Sequence, residues 1–349
     1  MAAQDLLIVD SHIHLYPEAE LETLSWATPG DPLVKRFSIE EYRAATGAPK
    51  NLRGFVFLET DRHNEKGTEW KYALMEIEWL ARIAKGEPRD GEGHTPEDAS
   101  LCLGIVPWAP MNLGRAKMVE YLEKAEQAAG PAWPKVKGFR YLLQDKEAGF
   151  GVTPEFIESM KLLGEKGFTF DAGVDQHRRG RAQLEELVAM IDHAYEGVVD
   201  DSKKLKFIIN HCCKPNLEII RTADPSFIAW RSAMFTLAKC DRIYMKLSGL
   251  FSEMPPALRS RSPEEIFEAV QPWLAVVLAA FGPSRIMFAS DWPVCTIGVD
   301  EGDGDGGKLG AWKKWRAVVE RLCDMASLPE DDQKMIWAGT AVKAYGLDI

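Results

Sequence analysis

Eight short apolar runs alternate with helix-patterned segments along the 349 residues, and this alternation restricts the fold more than any other feature. The runs are Leu6–His14, Arg53–Thr60, Leu101–Trp108, Val136–Leu143, Phe168–Asp175, Leu205–His211, Arg242–Gly249 and Arg285–Asp291. Several are nearly continuous in apolar residues (LLIV, FVFL, KFII, RIMFA), the pattern of strands covered on both faces. Between them, TEWKYALMEIEWLARIAKG repeats apolar residues at helical spacing and ends in Gly86, where a helix would stop. Two further segments open Thr153-Pro154 and Ser262-Pro263, a capping residue followed by proline at the first helical position. The sum predicts an α/β protein, a (β/α)8 TIM barrel formed as one domain by residues 1–349. A doubly wound open sheet is the alternative, but no GxGxxG follows the first run.

Charge narrows the partners. Forty-two Lys and Arg face 53 Asp and Glu, a net charge of −11, which argues against nucleic-acid and anionic-membrane partners because both need a positive footprint. The opening MAAQDLLIVD carries no signal-peptide pattern, and no apolar run reaches the ~18 residues of a membrane span. The six cysteines form no CxxC pair or disulfide spacing, so a reduced, cytoplasmic protein with a small-molecule substrate is expected. The adjacent Cys212 and Cys213 read as small buried hydrophobes at a strand end. Trp312 and Trp315 could mark a homo-oligomer contact, although a helix packed on the barrel accounts for them more simply. The segment VDEGDGDGGKLG (299–310) imitates a calcium loop, but Gly307 and Lys314 stand where ligands belong, so a surface loop is expected.

In a barrel the active site lies at the C-terminal ends of the strands. Run one ends in His12-Ile13-His14. Strand residues two apart share a side, so both imidazoles can converge on one point. Taken alone, this pair would equally suit buried core histidines. However, His177 follows run five, His211 ends run six and Asp291 ends run eight, so five metal-ligating or basic groups fall at one end of the predicted barrel. His63, His94 and His193 lie in loops or on a helix face and are expected to be solvated. Ser248 and Ser290 have no Gly-x-Ser-x-Gly elbow, which rules against a serine hydrolase.

The stretches VDSHIHLY, VKGFRYLL, FDAGVDQH, NHCCKP, MKLSGL and FASDWPVC, spread over residues 9–295, resemble the amidohydrolase superfamily, and within it the amidohydrolase-2 group. The likeness is greatest to the branch holding sugar-acid lactonases of the L-rhamnono- and L-fuconolactonase kind and pyrone dicarboxylate lactonase. The resemblance implies a TIM barrel with His-x-His on strand one, histidines after strands five and six, and aspartate after strand eight. Binuclear members have a bridging lysine or glutamate on strand four. Here that strand offers Arg140 and Tyr141, so at most one divalent metal is implied, held by His12, His14, His177 and Asp291, with zinc suited to the donors. The implied reaction is hydrolysis of a cyclic ester by metal-bound water. Asp291 moves the proton, and His211 orients the water or polarises the carbonyl. Arg140 would hold ring hydroxyls or a carboxylate, with Tyr141, Lys246 and Trp292 as further candidates for the substrate pocket. Two readings stay open beside it: non-oxidative decarboxylation of an aromatic or muconate-type acid on the same metal site, and a catalytically inactive binding or scaffold barrel.

Overall fold

The computed structural model describes residues 6–64, 69–299 and 310–349. Eight parallel strands form, one in each of the eight apolar runs: β1 Ile8–Ile13, β2 Leu52–Leu58, β3 Cys102–Val106, β4 Gly138–Leu142, β5 Thr169–Gly173, β6 Lys206–Ile209, β7 Ile243–Leu247 and β8 Ile286–Phe288. Each is shorter than its apolar run, mostly because the C-terminal residues leave the ladder to build loops and turns. The potential calcium loop falls mostly on residues 300–309, outside the described residues.

The strands pair in sequence order as two arcs, β1-β2-β3 and β4 through β8. Backbone bonds close both seams. Between β3 and β4, Lys137 N donates to Ile105 O (3.0 Å), Arg140 N to Pro107 O (3.0 Å) and Ala109 N to Arg140 O (3.2 Å). Between β8 and β1, Asp291 N donates to His12 O (2.9 Å) and His14 N to Trp292 O (2.7 Å). The result is the closed (β/α)8 cylinder expected from the sequence.

The helices that wrap it follow their local signals. The helix Lys71–Lys85 ends at Gly86, whose φ of 68° is the left-handed conformation glycine adopts freely. The helix Pro263–Phe281 starts on a Ser262–Glu265 capping box. Trp312 and Trp315, on the helix Ala311–Met325, are buried against the barrel. Their indole N–H groups donate to Asp10 Oδ2 (2.8 Å) and Leu247 O (3.0 Å), so neither offers a subunit contact. Cys212 and Cys213 are buried as expected, and burial pushes the Cys212 thiol up to about 12.

Asp10 joins barrel and helices. It accepts hydrogen bonds from Tyr42 Oη (2.9 Å), Trp312 Nε1 (2.8 Å) and the backbone N–H of Ser290 (2.8 Å). Strict alternation would put Asp10 and His12 on one face. The β1–β2 pairing shifts register between Asp10 and Ile13, and the strand turns Asp10 to the helices and His12 to the interior. The floor of the interior is closed by the C-terminal helix Thr340–Tyr345, whose Tyr345 Oη lies 2.9 Å from both Asp171 carboxylate oxygens.

A second buried network fixes the loops above β1 and β2. The Arg62 guanidinium donates to Glu20 Oε2 (2.5 Å), Thr23 Oγ1 (2.8 Å) and Glu76 Oε1 (3.1 Å), and Glu76 also accepts from the Thr60 backbone N–H. Removing the cation leaves two buried carboxylates unpaired. Arg62→Ala is therefore expected to lower unfolding stability by about 3–5 kcal/mol. Urea unfolding checks this, and a loss under about 1 kcal/mol would show that the network carries no such weight.

Candidate active site

The side chains that close the β8–β1 seam also build the site. The Nε2 atoms of His12 and His14 lie 3.1 Å apart, and both face Asp291 Oδ1, at 3.5 and 3.6 Å. His211 Nε2 reaches the same oxygen at 3.6 Å. His12, His211 and Asp291 offer ligand atoms that all lie within 4.8 Å of one another. Three imidazoles and one carboxylate thus surround a common centre at the C-terminal mouth of the barrel.

Two of these residues hold left-handed backbone without being glycine. Asp291 has φ 61°, and His211 begins a run of four such residues: His211 (55°), Cys212 (51°), Cys213 (62°) and Lys214 (46°). Each costs about 1–2 kcal/mol. Specific bonds hold the turn: Lys214 N to His211 O (2.7 Å), Cys213 N to Asn210 O (3.0 Å), Trp230 Nε1 to Cys212 O (2.8 Å) and His177 N to Lys214 O (2.9 Å). The turn directs the His211 ring against Gly249, where a Cβ would stand 2.3 Å from His211 Nδ1. Only glycine fits there, and its φ of 64° requires glycine as well.

The remaining ring nitrogens fix the tautomers. His14 Nδ1 lies 3.0 Å from both Leu58 O and Glu59 O, so it donates and leaves Nε2 with a lone pair toward the centre. His211 Nδ1 meets Ser248 Oγ at 2.9 Å. His12 Nδ1 faces Lys246 Nζ at 3.3 Å, and Lys246 in turn donates to Asp171 Oδ1 at 2.6 Å. With Lys246 charged, His12 Nδ1 accepts, and its Nε2–H donates to His14 Nε2.

Burial dominates the titration of these groups. It pushes His211 down to about 3 and His12 well below the ordinary histidine range, with Lys246 adding to the effect on His12. Burial also lowers Lys246 to about 8 against the pull of Asp171. Burial alone would raise Asp291, but His211, His14 and Lys214 around it together hold its carboxyl below the usual carboxylate value. At neutral pH His12 and His211 are therefore neutral and face an ionised carboxylate.

The donor set fits a divalent ion. The Nε2 lone pair of His14 and the Asp291 carboxylate are ready as they stand, and His211 offers its Nε2 lone pair when Nδ1–H donates to Ser248 Oγ. His12 joins them once its Nε2 proton leaves, with the buried Lys246 beside it as the second titrating group, so ion binding displaces a proton.

His177 is placed differently from the sequence expectation. Its Nδ1 pairs with Glu253 Oε2 at 2.8 Å, Glu253 also holds Arg178, and no hydrogen bond or ion pair joins His177 to the other four residues. His211 takes the position in the group that the resemblance gave to His177. Of the four substrate-pocket candidates only Arg140 lines the cavity over the centre. Tyr141 stacks on Phe150 at 5.5 Å between ring centres, Lys246 lies beneath His12, and Trp292 is buried against Phe37 and Tyr42. His94 is buried and paired with Glu92 at 3.2 Å, not solvated, whereas His193 is exposed as expected.

The cavity measures about 240 Å³. Besides His14, His211 and Asp291, its wall includes Arg140, Lys214, Glu59, Asp61, Thr60 and Gln144, with Tyr16, Trp26, Leu33 and Leu142 as the apolar part. Glu59 was missed from sequence. It ends the FVFLE run at the same rim, and burial lifts its carboxyl to about 8 although Arg140 pulls it down.

Comparison with known proteins agrees with this architecture. A family model described as Amidohydrolase matches residues 9–347. An L-rhamnono-gamma-lactonase of Scheffersomyces stipitis is 32% identical, covering 97% of this chain and 98% of its own length. An L-fucono-1,5-lactonase of Burkholderia multivorans is 28% identical, covering 64% of this chain and 67% of its own length. The crystal structure of a Burkholderia multivorans amidohydrolase with bound zinc superimposes with a TM-score of 0.71 at 22% identity, covering 98% of this chain and 100% of that one. With the model spanning nearly the whole chain and the histidine–aspartate centre in place, the protein belongs to the amidohydrolase family.

Proposed function

We propose that the protein is a lactonase that opens the cyclic ester of a sugar acid, of the L-rhamnono- or L-fuconolactone type. The observation that carries this reading is the ionised Asp291 carboxylate, ringed by three imidazoles at the floor of a cavity walled by both hydrogen-bond donors and acceptors. The full-length likeness to a rhamnonolactonase supports it.

The chain's own groups supply the proton movements. Asp291 accepts a proton from water as the water oxygen adds to the lactone carbonyl carbon. His14 and His211, facing the same carboxylate, keep it oriented. Arg140 and Lys214 are the cations of the wall, placed to stabilise negative charge on the carbonyl oxygen. Collapse of the adduct breaks the ring C–O bond, and Asp291 returns its proton to the departing ring oxygen, which leaves the open hydroxy acid. When bound by His12, His14, His211 and Asp291, a divalent ion would add Lewis acidity at the carbonyl and lower the pKa of water, and the nitrogen-rich donor set suits zinc. Arg140 occupies the β4 position of a bridging ligand, which supports one ion per chain.

Decarboxylation of an aromatic acid is the less supported reading. It needs a cation free to hold the substrate carboxylate. Of the two cations in the wall, Arg140 already lies 3.4 Å from Glu59 Oε1, which leaves Lys214 alone, and the Asp61 and Asp291 carboxyls stand in the same wall.

A panel of aldonolactones in weak buffer with a pH indicator is expected to show acid release by the parent protein. His12→Ala and Asp291→Asn are expected to lose at least about 1,000-fold in kcat/KM. Release of CO2 from an aromatic acid with no lactone opened would overturn the proposal. The pH profile follows from the shifted groups. Both His211 and Asp291 are displaced toward their deprotonated forms, so lowering the pH through the ordinary histidine value of ~6.5 does not protonate them. kcat/KM, corrected for spontaneous hydrolysis, is expected to show no acid limb from His211 or Asp291 above pH 5.5, and Lys246, lowered to about 8 beside His12, sets the dependence that remains near neutrality. A limb centred near pH 6.5 that coincides with titration of the His211 ring followed by NMR would show that this imidazole titrates as in solution.

A further inference from the structure

Buried polar atoms without hydrogen-bond partners are rare, and each asks for an explanation. Among the described residues there are eleven such side-chain nitrogens and oxygens, and five belong to three residues around the site: Glu59 Oε1, Arg140 Nε and Nη1, and both amide atoms of Asn210. All three side chains are at least nine-tenths buried. Glu59 and Asn210 follow the ends of β2 and β6, Arg140 is the middle residue of β4, and the three lie close together. Glu59 Oε1 lies 3.4 Å from Arg140 Nε. Arg140 Nη2 and Asn210 Nδ2 flank one bare α-carbon, that of Gly173 at the end of β5, where an added Cβ would meet Leu142 Cδ2 at 3.7 Å, Asn210 Nδ2 at 3.8 Å and Arg140 Nη2 at 4.0 Å. A methyl therefore fits at Gly173 at ordinary contact distances, beside the amide of Asn210, and the position is bordered by Leu142 and Arg140, which both line the cavity while Asn210 lies behind them.

We infer that Glu59, Arg140 and Asn210 form a hydroxyl-reading subsite, in which Asn210 determines specificity for a polyhydroxylated ring over an unsubstituted one. The chemistry fits a sugar. Guanidinium nitrogens donate, a carboxyl oxygen accepts, and the amide does both, so adjacent hydroxyls, each donor and acceptor, can satisfy all of them at once. An apolar ring would leave these atoms unpaired, and a site built to hydrogen-bond hydroxyls discriminates steeply against a ligand lacking them. The inference rests on the lactone reading and adds to it the part of the substrate that is recognised. It also carries a stability signature. A side chain with no partner in the free protein loses nothing when replaced by an apolar one of similar size.

The test compares kcat/KM for a hexono-γ-lactone with that for γ-butyrolactone, which has the ring without the hydroxyls. The parent is expected to prefer the hydroxylated lactone by at least about 1,000-fold. Asn210→Leu is expected to lower that ratio at least about tenfold, the weight of one good hydrogen bond, while its Tm stays at or above the parent's. Gly173→Ala places a methyl beside the Asn210 amide and the Arg140 guanidinium at ordinary contact distances. It is expected to lower the ratio similarly, and it carries the test if the first variant does not fold. An Asn210→Leu protein with a lower Tm and an unchanged ratio would overturn the subsite and leave the lactonase reading standing, because the amide would then be serving the fold. If the parent opens no lactone, the lactonase reading falls separately. Calorimetric titration with a free hexose then decides the subsite: binding at least about tenfold weaker to Asn210→Leu supports it, and equal binding overturns it.

Discussion

Everything at the site depends on the seam where the last strand meets the first. Two backbone hydrogen bonds, from Asp291 N to His12 O and from His14 N to Trp292 O, join positions almost three hundred residues apart. Because both bonds involve residues of the site itself, closure of the barrel and assembly of the centre are one event. Asp10 strengthens the seam from outside, accepting the Ser290 N–H while Tyr42 and Trp312 hold its other oxygen. Burial in this tightly bonded region is also what keeps the His12 and His211 imidazoles neutral. The seam therefore sets both the positions and the protonation states on which the chemistry rests.

The fold departs from its own local preferences mainly where the chemistry is. A left-handed turn of four consecutive non-glycine residues, strained by roughly 4–8 kcal/mol in sum, delivers His211 to the centre and Lys214 to the cavity wall. Asp291 carries the same strain singly. Among the described residues, three of the eleven unpartnered buried polar atoms belong to Glu59 and Arg140 in the cavity wall, and two more belong to Asn210 behind it. Such departures persist only where surrounding structure over-determines them, and they gather where a ligand gives them a purpose.

The sequence disclosed the barrel because a parallel sheet with both faces covered leaves nearly unbroken apolar runs, and eight such runs have few other solutions. It disclosed His12, His14, His211 and Asp291 because each ends one of those runs. It gave the ligand position to His177 and kept His211 apart from the ligands, whereas the structure groups His211 with His12 and Asp291. Both follow a strand, and what distinguishes them is the left-handed turn at 211–214 and the presence of Glu253 beside His177, neither of which has a local signature. Tyr141 and Trp292 were misplaced for a related reason. Adjacent residues on a strand or at its end point to opposite sides, so the neighbours of Arg140 and Asp291 face away from the cavity into aromatic packing. Glu59 and Asn210 were readable in principle, as polar residues ending β2 and β6, but nothing in their spacing set them apart before the partners were known.

Lys246 shows how far the site reaches into the scaffold. It is fully buried between the catalytic end and the floor, bonded to Asp171, which is itself held by Tyr345 of the C-terminal helix. This file of groups runs from the closing plug of the barrel to His12 Nδ1. A charged ammonium at that nitrogen fixes the His12 tautomer and points its Nε2–H at His14, whereas a neutral one allows His12 to present a lone pair instead. The choice between a hydrogen-bonded pair of histidines and a pair of ligands is thus made on the far side of His12 from the substrate. The buried ion pair adds little to stability for its desolvation cost. Its physical role is to hold the first histidine of the motif in a defined protonation state against the neighbour two residues on.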